Sequence, residues 1–183
     1  KDLQNISTDE QPINYTRKYR FAYIAAAIMI VAVLLQQFLK EEPTTQDLFA
    51  AYFQPYPIHV DSLKTINHNL NYNKAVSAYK SKDYNTASLA LAKLFRNDSM
   101  ASTAFYAGMS HLAMGNDEEG LQLLDIARSK STKYLPQMHW YNALFALKIN
   151  DKRSAIDHLT ELQGLKSDFK KNATRKLLDY LKP

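Results

Sequence analysis

Cysteine is absent from the 183 residues, so disulfides, thiolate nucleophiles and cysteine-ligated metals are excluded. Glycine and proline are scarce, four and six, which favours helices joined by short connections. A dominant charge is missing as well: 23 Lys and Arg face 18 Asp and Glu. The basic residues are scattered, whereas nucleic-acid binding needs a clustered basic face, so no nucleic-acid partner is expected. Signatures of catalysis are missing too. No Gly-rich phosphate loop and no Gly-x-Ser-x-Gly elbow occur. The five histidines (His59, His68, His111, His139, His158) show neither His-x-x-x-His nor His-Glu-x-x-His spacing. The acidic run Asp117, Glu118, Glu119 opens a helix, where the positive end of the peptide dipole accounts for it. No catalytic residue, metal ligand, cofactor or small-molecule substrate is therefore expected, and the chain does not read as an enzyme.

What is present begins with an apolar run. Phe21 to Leu39, FAYIAAAIMIVAVLLQQFL, carries no charge, glycine or proline. A helix of that length covers about 28 Å, near the hydrocarbon thickness of a bilayer. Arg17, Lys18 and Arg20 stand before it, with Tyr15, Tyr19 and Tyr23 expected to form an aromatic girdle; Lys40, Glu41 and Glu42 follow. A buried helix or a cleaved signal peptide fits less well, because the run is apolar on every face and no small-x-small site follows. The expectation is a single transmembrane helix over 21–39, with the lipid bilayer as a partner. The positive-inside rule then predicts a cytoplasmic tail over 1–20 and the remainder across a bacterial inner membrane, in the periplasm.

Residues 40–70 read as a linker. Thr45 is expected to cap a short helix, Gln46 to Phe53, and Gln54-Pro55-Tyr56-Pro57 forces an extended stretch, because each proline fixes φ and biases its predecessor away from helix. Phe49, Tyr52, Phe53 and Tyr56 are too apolar for a free linker. They are expected to pack on the first helical repeat or to lie at headgroup level.

From residue 71 the chain repeats itself. Tyr72, Phe105 and Trp140 open three similar segments. Each is followed three residues on by a small residue (Ala75, Gly108, Ala143) and seven residues on by a larger one (Tyr79, Leu112, Leu147). Polar turns come next: Lys82-Asp83, Gly115-Asn116, Asn150-Asp151. A second small residue follows in each: Ala87, Gly120, Ala155. Pairs of antiparallel helices explain the pattern. Small residues let two backbones approach, and large ones fill the gap to the next pair, since no pair buries its apolar face alone. Asp168 to Lys182 places Phe169, Ala173, Leu177, Leu178 and Leu181 at helical spacing under a basic face, as a capping helix would. Ser99 is expected to cap the helix starting near Met100.

This arrangement resembles the tetratricopeptide repeat (TPR) family over residues 72 to about 164. The first unit departs from it by lacking the turn glycine. The order of apolar helix, LFAAYFQPYP, FYAGMSHLAMGN and WYNALFALKIND also looks like membrane-anchored tetratricopeptide proteins of Bacteroidetes. The resemblance implies an all-α fold: the transmembrane helix, then a TPR-like α-solenoid of about three helix-turn-helix units plus a capping helix, over 71–183. It implies a membrane-anchored protein-protein interaction module, a periplasm-facing scaffold or accessory subunit of a cell-envelope complex. Some such proteins resemble anti-sigma factors, which implies the alternative of a transmembrane signalling regulator with a periplasmic TPR sensor. Repeat arrays bind partners on the face built by their first helices. The candidates there are Asn73, Ser77, Lys80, Tyr106, Ser110, His111, Tyr141, Asn142 and Phe145, a set rich in rings and amides that suits a peptide or partner protein. Tyr106, Tyr141 and Phe145 read equally well as core.

Overall fold

The computed structural model describes residues 15–38, 42–59, 63 and 70–182. Among them all regular structure is helical: α1 Tyr15–Phe38, α2 Thr45–Tyr52, α3 Leu70–Lys80, α4 Tyr84–Asp98, α5 Ala101–Ala113, α6 Asp117–Lys130, α7 Leu135–Lys148, α8 Lys152–Gly164 and α9 Lys171–Leu181, with a 3-10 turn at Thr132–Tyr134 and Leu63 in 3-10 conformation as well. The chain divides into two compact units, Lys1–Glu42 and Pro43–Pro183.

In the first unit, α1 carries the apolar run, and its described side chains from Ala22 to Val33 are exposed. Among the described residues no helix is long and apolar enough to cross a membrane. The expectations of a transmembrane helix over 21–39 and of a single-pass inner-membrane localisation with periplasmic repeats are therefore corrected. The physical reason lies at the helix ends. Arg17, Lys18 and Arg20 occupy the first turns, and Gln36 and Gln37 the last. Phe21 to Leu35 alone spans ~22 Å, short of the ~30 Å of hydrocarbon that a span must cross.

In the second unit, α3/α4, α5/α6 and α7/α8 form three successive helical hairpins; α4 packs on α5, α6 on α7 and α9 on α8. The small residues sit where the two helices of a pair approach. Ala75, Ala87, Ala143 and Ala155 are wholly buried. A Cβ on Gly108 would lie 2.9 Å from the Gly120 carbonyl oxygen, and one on Gly120 would lie 2.5 Å from a Leu112 methyl. Leu91, Leu94, Leu124, Leu147 and Leu159 fill the spaces between.

The three turns share one geometry. Lys82, Gly115 and Asn150 take the left-handed conformation, with φ of 63°, 82° and 61°. The next N–H in each turn donates to the carbonyl five residues back: Asp83 to Ala78, Asn116 to His111 and Asp151 to Ala146, at 2.9, 3.0 and 2.8 Å. This closes each first helix with a Schellman-type cap. Asp83 and Asp151 then cap the second helices, accepting from the N–H groups of Thr86 and Ser154.

Two caps differ from the sequence reading. Thr44, one residue earlier than expected, caps α2: its hydroxyl accepts from the Asp47 N–H, and the Asp47 carboxylate accepts from the Thr44 N–H. That reciprocal pair needs an acid three residues on, which Thr44 has and Thr45 lacks. Thr45 instead donates to Asn150 at 3.0 Å. Ser99 does not cap α5 but ends α4 in the left-handed region. Met100 stands at the N-cap of α5 without a side-chain cap, and Asp98 ties down the turn, accepting from the Met100 N–H and the Thr103 hydroxyl.

Candidate functional site

Residues 43–59 belong to the same compact unit as the hairpins. Helix α2 packs on α7. Beyond α2 the chain runs extended from Phe53 to His59, because Pro55 and Pro57 forbid helix and hold the φ of an extended segment. The strap so formed lies across the first helices α3, α5 and α7, and each supplies one tyrosine to it. The Tyr141 hydroxyl donates to the Gln54 carbonyl at 2.6 Å. The Tyr79 hydroxyl donates to the Tyr56 carbonyl at 2.7 Å. The Tyr106 oxygen accepts from the His59 N–H at 2.9 Å and faces the Pro57 carbonyl at 3.4 Å. All three rings are buried, whereas every strap residue is at least partly exposed.

Rings complete the groove. Phe53 meets Tyr141 and Phe145 edge-on, at centroid distances of 6.1 and 5.6 Å. The Tyr56 ring stands edge-on to Phe105 and Phe169, at 5.5 and 5.8 Å. Its hydroxyl accepts from the Gln137 amide at 3.3 Å. Upstream, Phe49 packs on Phe145 and Tyr52 on Trp140. The aromatic cluster of the linker therefore packs on the second and third hairpins as well as on Tyr79 of α3, not on the first repeat alone. The chain crosses over because its prolines keep it extended.

Burial pushes the Tyr79 and Tyr141 phenols well above their ordinary value, and neighbouring phenols add to the effect. Both stay protonated at any physiological pH and act as fixed hydrogen-bond donors. They are not poised to lose a proton to a substrate.

The expected site residues divide by depth. Tyr106, Tyr141 and Phe145 line the groove and are buried. Ser110 is buried too, spending its hydroxyl on the Tyr106 carbonyl of its own helix at 2.8 Å. His111 and Asn142 are half-buried, while Asn73, Ser77 and Lys80 are exposed on α3. Tyr79 and Gln137 were not among the expected set. Tyr79 carried a legible signal: its counterparts in the other units are Leu112 and Leu147, and a hydroxyl at a core position needs a partner. Gln137 had none.

Elsewhere, His139 on α7 and His158 on α8 bring their rings to 5.7 Å. Burial holds both below the ordinary histidine value, and for His139 the nearby His158 adds to this. Among the described residues no group of three or more His, Asp or Glu side chains could hold a metal ion. A cleft of about 460 Å³ between α8 and α9 is lined by Leu162, Phe169, Lys166, Lys171 and Arg175 among others. Its cations are solvated; Lys171 is already paired with Asp168 at 3.7 Å.

No protein-family profile, curated protein or solved structure matches the chain.

Proposed function

We propose that the chain is a protein-interaction module, a short array of tetratricopeptide-like hairpins that serves as a scaffold or accessory subunit. In this reading it binds a peptide or partner protein on the face built by its first helices and performs no catalysis. The reading is carried by one observation: tyrosine hydroxyls from three successive first helices all engage main-chain atoms of a single extended segment. A grip on main-chain groups fixes an extended backbone whatever its side chains, and the pockets between rings add a preference for aromatic residues.

Panning a displayed library of short random peptides tests this. The targets are the intact chain and its Tyr56→Ala variant, in which the central ring of the strap is gone. Sequences with an aromatic residue beside proline are expected to be enriched, and Tyr141→Phe, which removes one main-chain hydrogen bond, should weaken them about tenfold. Absence of enrichment on both targets would refute the reading.

A further inference from the structure

Resting on that reading, we propose that residues 53–59 are a built-in ligand, and that the outside partner is an extended peptide of the same chemistry, an aromatic residue between two prolines, which enters only by displacing them. The strap has the properties of a bound peptide rather than of a core element. Beyond Phe53, whose N–H closes α2 on the Phe49 carbonyl, it has no regular secondary structure, and the groove satisfies main-chain atoms at Gln54, Tyr56, Pro57 and His59. None of its residues is fully buried; Gln54, Pro57 and His59 face out, while Phe53, Tyr56 and Ile58 lie half-buried against the hairpins. The tyrosines beneath it are buried to 4% exposure or less. Two prolines hold the segment extended before it binds, which lowers the entropy lost on docking.

The chemistry of the partner follows from what the groove holds. Tyr56 presents its ring to Phe105 and Phe169, its hydroxyl to Gln137 and its carbonyl to Tyr79. The flanking prolines offer no N–H, and the groove donates to the carbonyls of Gln54, Tyr56 and Pro57 without asking for an N–H until His59. A competing peptide therefore needs carbonyls at those spacings, a central ring with a hydroxyl, and proline on either side.

Tethering sets the size of the effect. A segment joined to the domain by a short linker acts at an effective concentration of about a millimolar, so a peptide of ~0.1 mM intrinsic affinity is weakened about tenfold by the strap.

The test uses the intact chain and a synthetic, end-blocked peptide of its own residues 53–59. The Tyr56→Ala chain is expected to bind this peptide at least about tenfold more tightly than the unaltered chain, with a rise in melting temperature. A peptide carrying the same Tyr-to-Ala change should not bind. Gln137→Ala removes a contact to the tyrosine hydroxyl that strap and peptide share, so it should not tighten binding of the peptide. If Tyr56→Ala prevents folding, excess peptide must restore the helical circular dichroism signal; failure to do so makes the strap a structural element and overturns the proposal. Equal affinity of both chains for the peptide overturns it as well. Library peptides that bind both forms alike would remove the built-in ligand and keep the interaction module. If no peptide binds either form, the module itself fails.

Discussion

Replacing Gly108 by alanine measures how closely α5 and α6 are packed. The new Cβ would stand 2.9 Å from the Gly120 carbonyl oxygen and 3.2 Å from atoms of Leu123 and Leu124. The oxygen belongs to the backbone of α6 and cannot rotate away, so the two helices must part by a few tenths of an ångström. Overpacking of that kind costs about 1–3 kcal/mol. Alanine returns ~0.8–1.0 kcal/mol through its helix propensity. The net expectation is a loss of about 1 kcal/mol, or ~2–4 °C in melting temperature. Gly164→Ala is the matched control. Nothing lies within 4 Å of its Cβ position at the end of α8, so the same chemical change should be neutral or stabilise by up to about 0.5 kcal/mol. Urea denaturation of both variants, with unchanged slope, gives the comparison. A Gly108→Ala protein as stable as Gly164→Ala would refute close packing of α5 on α6.

Three other outcomes follow from local geometry. Lys82 sits at φ 63°, where a side chain costs ~1–2 kcal/mol that glycine avoids; after glycine's own entropy penalty, Lys82→Gly should stabilise by about 0.5–1 kcal/mol in thermal melts. Asp98→Ala removes the acceptor for the Met100 N–H and the Thr103 hydroxyl, and denaturant titration should show a loss of about 1–2 kcal/mol from the lost hydrogen bonds. His139 and His158 have folded pKa values lowered by burial, so the unfolded chain binds protons first as acid is added. Their effect is absent above the unfolded value of about 6.5. Stability should then decline as pH falls from there through the lowered folded values, despite the opposing pull of Glu161 and, at His158, Asp157. The double variant His139→Gln, His158→Gln should flatten that part of the stability profile.

The hairpins were legible because their determinants are local. A small residue three positions after an aromatic, and a turn residue able to take positive φ, each leave a mark at fixed spacing; Gly108, Gly120 and Gly115 occupy the positions the repeat assigned them. The groove was legible only in part. Tyr106 and Tyr141 could be placed on first helices, but their role depends on Gln54 and His59, 87 and 47 residues away in the chain. Periodicity within the repeats carries no information about a segment outside them. The apolar run misled for a related reason: an uninterrupted stretch reports the absence of charge, whereas spanning depends on length between polar ends, and Gln36 and Gln37 end the apolar stretch of α1 at Leu35.

The tyrosine hydroxyls hold the extended segment against the first helices. Its most exposed witness is the His59 amide, on a surface residue outside any helix, whose N–H donates to Tyr106 at 2.9 Å. Hydrogen exchange followed by NMR should find this amide protected in the intact chain and lose the protection in Tyr106→Phe, with the amides of α5 unchanged. Exchange of the His59 amide at the rate of an unstructured peptide in the intact chain would contradict the account.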